Sequence, residues 1–185
     1  MKRSLLLFCS MVLTLCSCQR NKDTLFSLMD NDDLGISFSN TLNDNDGANI
    51  FSYRNYYNGG GVAIGDVNND GLNDVFLTSN QGDNQLLLNK GQWKFENVTE
   101  KAGVRGTKYW STGVTMVDVN ADGWLDIYVC NSGNARGNET ENELFINQKD
   151  GTFKDQAREY GLADQGLSTH AVFFDYDLDG DLDCY

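Results

Sequence analysis

Apolar and polar positions alternate along most of this chain on a short scale. Residues 61–66 (GVAIGD), 74–80 (DVFLTSN), 113–119 (GVTMVDV) and 126–131 (DIYVCN) are brief runs rich in Val, Ile and aromatics, bounded by Gly, Asp and Asn. Such runs predict strands, because they are too short and too β-branched for helices. Each pair of runs is joined by a nine-residue loop: DVNNDGLND at 66–74 and DVNADGWLD at 118–126, with a third copy, DYDLDGDLD, at 175–183.

The repetition extends beyond the loops. Gly61-Val62 returns as Gly113-Val114 at an offset of 52, and Ser111-Thr112 returns as Ser168-Thr169 at 57. The run Asn84-Gln85-Leu86-Leu87-Leu88-Asn89 returns as Asn142-Glu143-Leu144-Phe145-Ile146-Asn147 at 58, and Phe95 returns as Phe153 at the same offset. The unit is a strand, a loop, a strand, an Asn-flanked strand, and a strand opening on an aromatic. Four short strands per unit predict an all-β fold, a partial β-propeller of four-stranded antiparallel blades. Sheets with apolar residues on both faces must stack on their neighbours, so Trp93, Phe95, Val98 and Trp110 are expected in the core between blades. Residues 34–185 then hold about two complete blades and the first hairpin of a third, and the chain is read as the N-terminal fragment of a longer protein.

Each loop carries an oxygen-bearing side chain at positions 1, 3, 5 and 9 and glycine at position 6. Those residues are Asp66, Asn68, Asp70 and Asp74; Asp118, Asn120, Asp122 and Asp126; and Asp175, Asp177, Asp179 and Asp183. Calcium takes about six to eight oxygens, and a tight loop supplies them by aiming alternate side chains inward, with a backbone carbonyl at position 7. Gly71, Gly123 and Gly180 stand where such a loop turns sharply. An EF-hand would place Glu at position 12, where this chain has Leu77 and Val129. One such cluster between strands is equally well a plain turn; three copies in one phase favour three calcium sites. Asn43-Asp44-Asn45-Asp46-Gly47 lacks the following acid and is read as a turn.

The net charge of −13 changes little in this picture, because the loops hold eleven acids, without which the balance is −2. The chain offers no basic patch for phosphates, so nucleic acid is excluded as a partner. His170 is the sole histidine, and no G-x-S-x-G elbow accompanies it. It is read as structural and the chain as non-enzymatic.

Residues 1–18 begin with Lys2 and Arg3, continue through an apolar run from Leu5 to Leu15, and end Leu15-Cys16-Ser17-Cys18. The run is too short to span a bilayer as a helix and reads as a secretory signal. Its end resembles the bacterial lipobox, which implies that Cys18 is lipidated after cleavage. Residues 19–33 are polar and read as a tether. Of the remaining cysteines, Cys130 and Cys184 either pair or stay as two buried thiols, the second being the plainer expectation.

The pattern GVAIGDVNNDGLND, followed by NQLLLN and KFENVTEKAGV, resembles the FG-GAP or VCBS repeats of integrin-type β-propellers. The stretches YYNGGGVAIGDVNNDG, WSTGVTMVDVNADGWLDIYVCNSG and STHAVFFDYDLDGDLD look closer still to large bacterial lipoproteins of the cartilage acidic protein and ASPIC/UnbV kind. That resemblance implies calcium on the Asp and Asn loop residues and a propeller used for adhesion or ligand binding. The expectation is a calcium-binding module of an exported surface lipoprotein, attached to a bacterial outer membrane through lipid alone and recognising a protein or glycan. The alternative is a non-catalytic scaffold part of a larger propeller enzyme, a hydrolase or lyase.

Overall fold

The structure, a computed structural model, describes residues 25–44, 49–108, 110–132 and 140–185. The expected signal, Cys18, the start of the tether and Asn45-Asp46-Gly47 lie outside the described residues.

The first sheet is β1 (Val62–Gly65), β2 (Asp74–Leu77), β3 (Gln85–Asn89) and β4 (Phe95–Asn97), hydrogen-bonded in that order. The second repeats it as β5 (Ser111–Val117), β6 (Asp126–Asn131), β7 (Glu143–Asn147) and β8 (Phe153–Asp155). A third begins with the hairpin β9 (Phe173–Phe174) and β10 (Asp183–Cys184). Every pairing is antiparallel. The all-β class and the meander of the blade are therefore as expected. Two one-turn helices add to it, α1 (Asn31–Leu34), within the end of the expected tether, and α2 (Thr99–Ala102), which follows β4.

The sheets stack face to face, as their two-sided apolar patterns require. Strand β6 is buried along its whole length. Ile127 and Val129 join Ala63, Phe76, Leu86 and Val114 in the core between the first two sheets. Tyr128 and Cys130 turn the other way, to Leu144, Ile146 and Ala171 toward the third hairpin. The innermost strands meet so closely that a methyl at Gly61 would lie 2.7 Å from the Thr112 carbonyl oxygen, and one at Gly113 would lie 2.5 Å from that of Thr169. Those two glycines are what the seams require.

The tryptophans depart from expectation. Trp93 is 68% exposed with φ of 60°, because it sits in the tight turn between β3 and β4 that Lys90 and Lys94 close. Trp110 is buried, yet against Tyr53 and Tyr56 outside the seam core. Val98 does pack on that core. Both described cysteines are free: Cys130 is buried, with its thiol pushed up to about 12 by burial, whereas Cys184 is exposed, correcting the expectation of two buried thiols. Among the described residues no helix is long and apolar enough to cross a membrane.

Candidate cation loops

The three loops share one backbone. Position 6 glycines adopt left-handed φ values of 86°, 85° and 100° at Gly71, Gly123 and Gly180. Position 4 is also left-handed, at Asn69 (58°), Ala121 (56°) and Leu178 (64°). Asn tolerates that region, but for Ala and Leu it costs about 1–2 kcal/mol, so something in the loop must offset it.

The offset comes from the acids themselves. At position 1, Asp66 accepts the N–H groups of Asp70 (3.1 Å) and Gly71 (2.8 Å); Asp118 accepts those of Asp122 (2.9 Å) and Gly123 (2.8 Å); Asp175 accepts those of Asp179 and Gly180 (both 3.1 Å). At position 5, Asp70, Asp122 and Asp179 accept the N–H of position 7, from Leu72, Trp124 and Asp181. At position 3, Asn68 and Asn120 accept the position 5 N–H through Oδ1. Each carboxylate oxygen has lone pairs left after one such bond. The loop is thus curled around its own oxygens.

Position 9 is where the loops differ. Asp74 Oδ2 accepts the Val67 N–H (3.0 Å) and Oδ1 the Asn89 N–H (2.8 Å), tying the loop to the end of β3. Asp126 does the same with Val119 (3.1 Å) and Asn147 (2.8 Å). Both are fully buried, and burial, opposed by those N–H groups, holds both carboxyls above their ordinary range. Asp183 accepts the Tyr176 N–H (2.8 Å), with no third-strand N–H beside it among the described residues.

The third loop, with Asp177 at position 3 where the others have Asn, brings a carboxylate oxygen of each of Asp175, Asp177 and Asp183 within 4.8 Å of one another. That acidic cluster is suited to hold a metal ion. Asp179 stands outside it, bonded to the Asp181 N–H. The first two loops form no such carboxylate trio among the described residues; their donors are mixed, with amides at position 3. In the second loop a cation is already present, since the Lys149 ammonium lies 3.3 Å from Asp122 Oδ2. All three donor sets are hard oxygens, the chemistry that calcium and magnesium take.

The first two loops also touch across the seam. Asn69 Nδ2 donates to the Gly123 carbonyl (3.0 Å), and Asn147 Nδ2 donates to the carbonyls of Val67 (2.8 Å) and Leu125 (3.1 Å). Asn89, Asn147 and Lys149 were not among the expected site residues. The Asn that closes each third strand was visible in the repeat, but its tie to position 9 was not.

Stacked four-stranded meanders, each with an Asp-rich loop between its first two strands, define a protein built of propeller-type blades. The sequence pattern of the FG-GAP-like repeat matches residues 66–129 and again 118–185, more than half of the chain, which therefore belongs to the FG-GAP-like repeat family. The chain is 36% identical over 74 residues to cartilage acidic protein 1 of Xenopus tropicalis, and 33% identical over 72 residues to that of Homo sapiens. These matches cover 40% and 39% of this chain but 11% of either relative, so the chain spans about a tenth of the length of the curated relatives it matches.

Proposed function

We propose that this chain is a calcium-stabilised binding module of an exported lipoprotein, anchored through Cys18 and presenting its blades to a protein or glycan ligand outside the cell. The observation that carries the calcium reading is the triple recurrence of one loop, with its third copy gathering Asp175, Asp177 and Asp183 within 4.8 Å. Asp66, Asn68, Asp70 and Asp74, then Asp118, Asn120, Asp122 and Asp126, then Asp175, Asp177, Asp179 and Asp183 hold the ion in this reading, with the position 7 carbonyls. Bound calcium supplies positive charge to loops that otherwise crowd carboxylates together. The residues' part is to present oxygens on a curled backbone. Extracellular-type affinity of about 0.1 to 1 mM gives about 0.4 to 1.4 kcal/mol per site at about 1 mM calcium.

Calorimetric titration of the full chain with calcium tests the reading. Three binding events that chelator reverses support it, and the absence of any heat of binding refutes it. The anchor has its own check in mass spectrometry of the mature protein: a diacylglycerol-modified Cys18 at the N-terminus is expected, and an unmodified terminus beyond residue 18 contradicts it.

A further inference from the structure

The three loops share a ligand pattern but not a neighbourhood. After β7 the chain turns through Asn147, Gln148 and Lys149, and the Lys149 N–H donates to Asn147 Oδ1 (2.9 Å). In the first unit the same turn runs through Asn89, Lys90 and Gly91, with the Gly91 N–H on Asn89 Oδ1 (2.9 Å). The turns are alike even in their left-handed residue, φ 66° at Lys149 and 79° at Gly91. Lysine therefore stands at a position whose backbone favours glycine. Its side chain reaches back to the second loop and puts Nζ 3.3 Å from Asp122 Oδ2.

Asp122 is the position 5 ligand, and its other oxygen accepts the Trp124 N–H. In the first loop the matching oxygen, Asp70 Oδ2, accepts the Asn68 amide of its own loop (3.0 Å), with no ammonium beside it among the described residues. Gly91 has no side chain to reach it, and the adjacent Lys90 pairs with Glu96 (3.5 Å). An ammonium ion and a divalent cation ask for the same carboxylate oxygen, and the repulsion between their like charges disfavours holding both at once.

We infer that Lys149 is a tethered cation competing with divalent metal for Asp122, so that the second loop binds metal more weakly than the first. The inference rests on the calcium reading above. Because the lysine is covalently held beside the loop, its competition acts at a fixed effective concentration. Metal entry displaces the ammonium into solvent, which a flexible and 46% exposed side chain permits. Lys149 thus sets the order in which adjacent loops fill.

The second loop reports on itself, since it alone has a tryptophan, Trp124, at position 7, where the others have Leu72 and Asp181. Terbium stands in for calcium, and its luminescence under indole excitation reads that loop; Trp124→Phe removes the signal if the assignment is right. In the full chain, Lys149→Gly, which copies the first unit, and Lys149→Gln, which keeps length without charge, should each tighten terbium and competing calcium at the second loop by about three- to tenfold. Lys149→Arg should leave affinity near that of the parent, and added salt should shrink the difference. Equal affinity in parent, Gly and Gln proteins overturns the inference while leaving the calcium reading intact. No sensitised terbium signal and no calcium binding in any of them overturns both.

Discussion

Asp126 and Asp183 occupy the same place in the repeat and lead different lives. Asp126 is fully buried and clamps two segments, its own loop through Val119 and the end of β7 through Asn147. Asp183 accepts, among the described residues, the Tyr176 N–H, is half-buried, and faces Asp175 and Asp177. Asp126 thus ties its loop to the end of a third strand, a bond that Asp183 does not show among the described residues. A motif fixes which atoms are present, and the neighbouring strand adds backbone partners that the motif alone does not show.

The comparison breaks most sharply at Asp126. Asp126→Ala leaves two backbone N–H groups without partners, at about 1–3 kcal/mol each, so unfolding in chelator should show a loss of about 2–6 kcal/mol. Asp183→Ala removes one bond at a wetter site, and the same measurement should show about 1 kcal/mol or less. Equal losses would mean that the two aspartates are equivalent after all.

Next in size is the seam. Gly113→Ala forces a methyl against the Thr169 carbonyl and the His170 backbone, at 2.5 and 2.8 Å. Overpacking of this kind costs about 1–3 kcal/mol, and denaturant midpoints should fall accordingly. Gly123→Ala meets no atom within 4 Å and tests the left-handed backbone alone.

Glu143 and Gln85 extend the comparison to pH. Glu143 is fully buried; desolvation raises its pKa above the ordinary carboxylate value, against the Thr107 and Asn131 bonds that lower it. A raised carboxyl contributes its stability below the unfolded pKa of about 4.3 and loses it as pH rises through the folded value. Glu143→Gln, copying the first unit, should therefore gain stability over the parent progressively as pH rises from about 4 toward neutrality, read from paired thermal melts. A difference that does not change with pH would place the proton elsewhere.

Much of this was legible in the sequence. The strands followed from alternating apolar runs, the blade from the offsets between Asn84 and Asn142 or Phe95 and Phe153, and the loops from their oxygen spacing. Side-chain destinations were less so. Trp93 looks like core by composition, but the turn that contains it lies outside the sheet. The left-handed backbone at Ala121 and Leu178 has no residue signature, because neither favours it. The clamping of Asp74 and Asp126 was not legible, since the closing N–H of Asn89 or Asn147 arrives from a strand 15 or 21 residues away. Lys149 was hidden for the same reason: only the fold brings that turn back to Asp122.

Thermal melts of the full chain in about 1 mM calcium and in chelator test the central claim most directly. The account predicts that calcium raises the midpoint, by a stabilisation of about 1 to 4 kcal/mol summed over three loops, and that Asp66→Asn, Asp118→Asn and Asp175→Asn together abolish the rise. A midpoint that calcium leaves unmoved in the parent protein would contradict it and make all three loops plain turns.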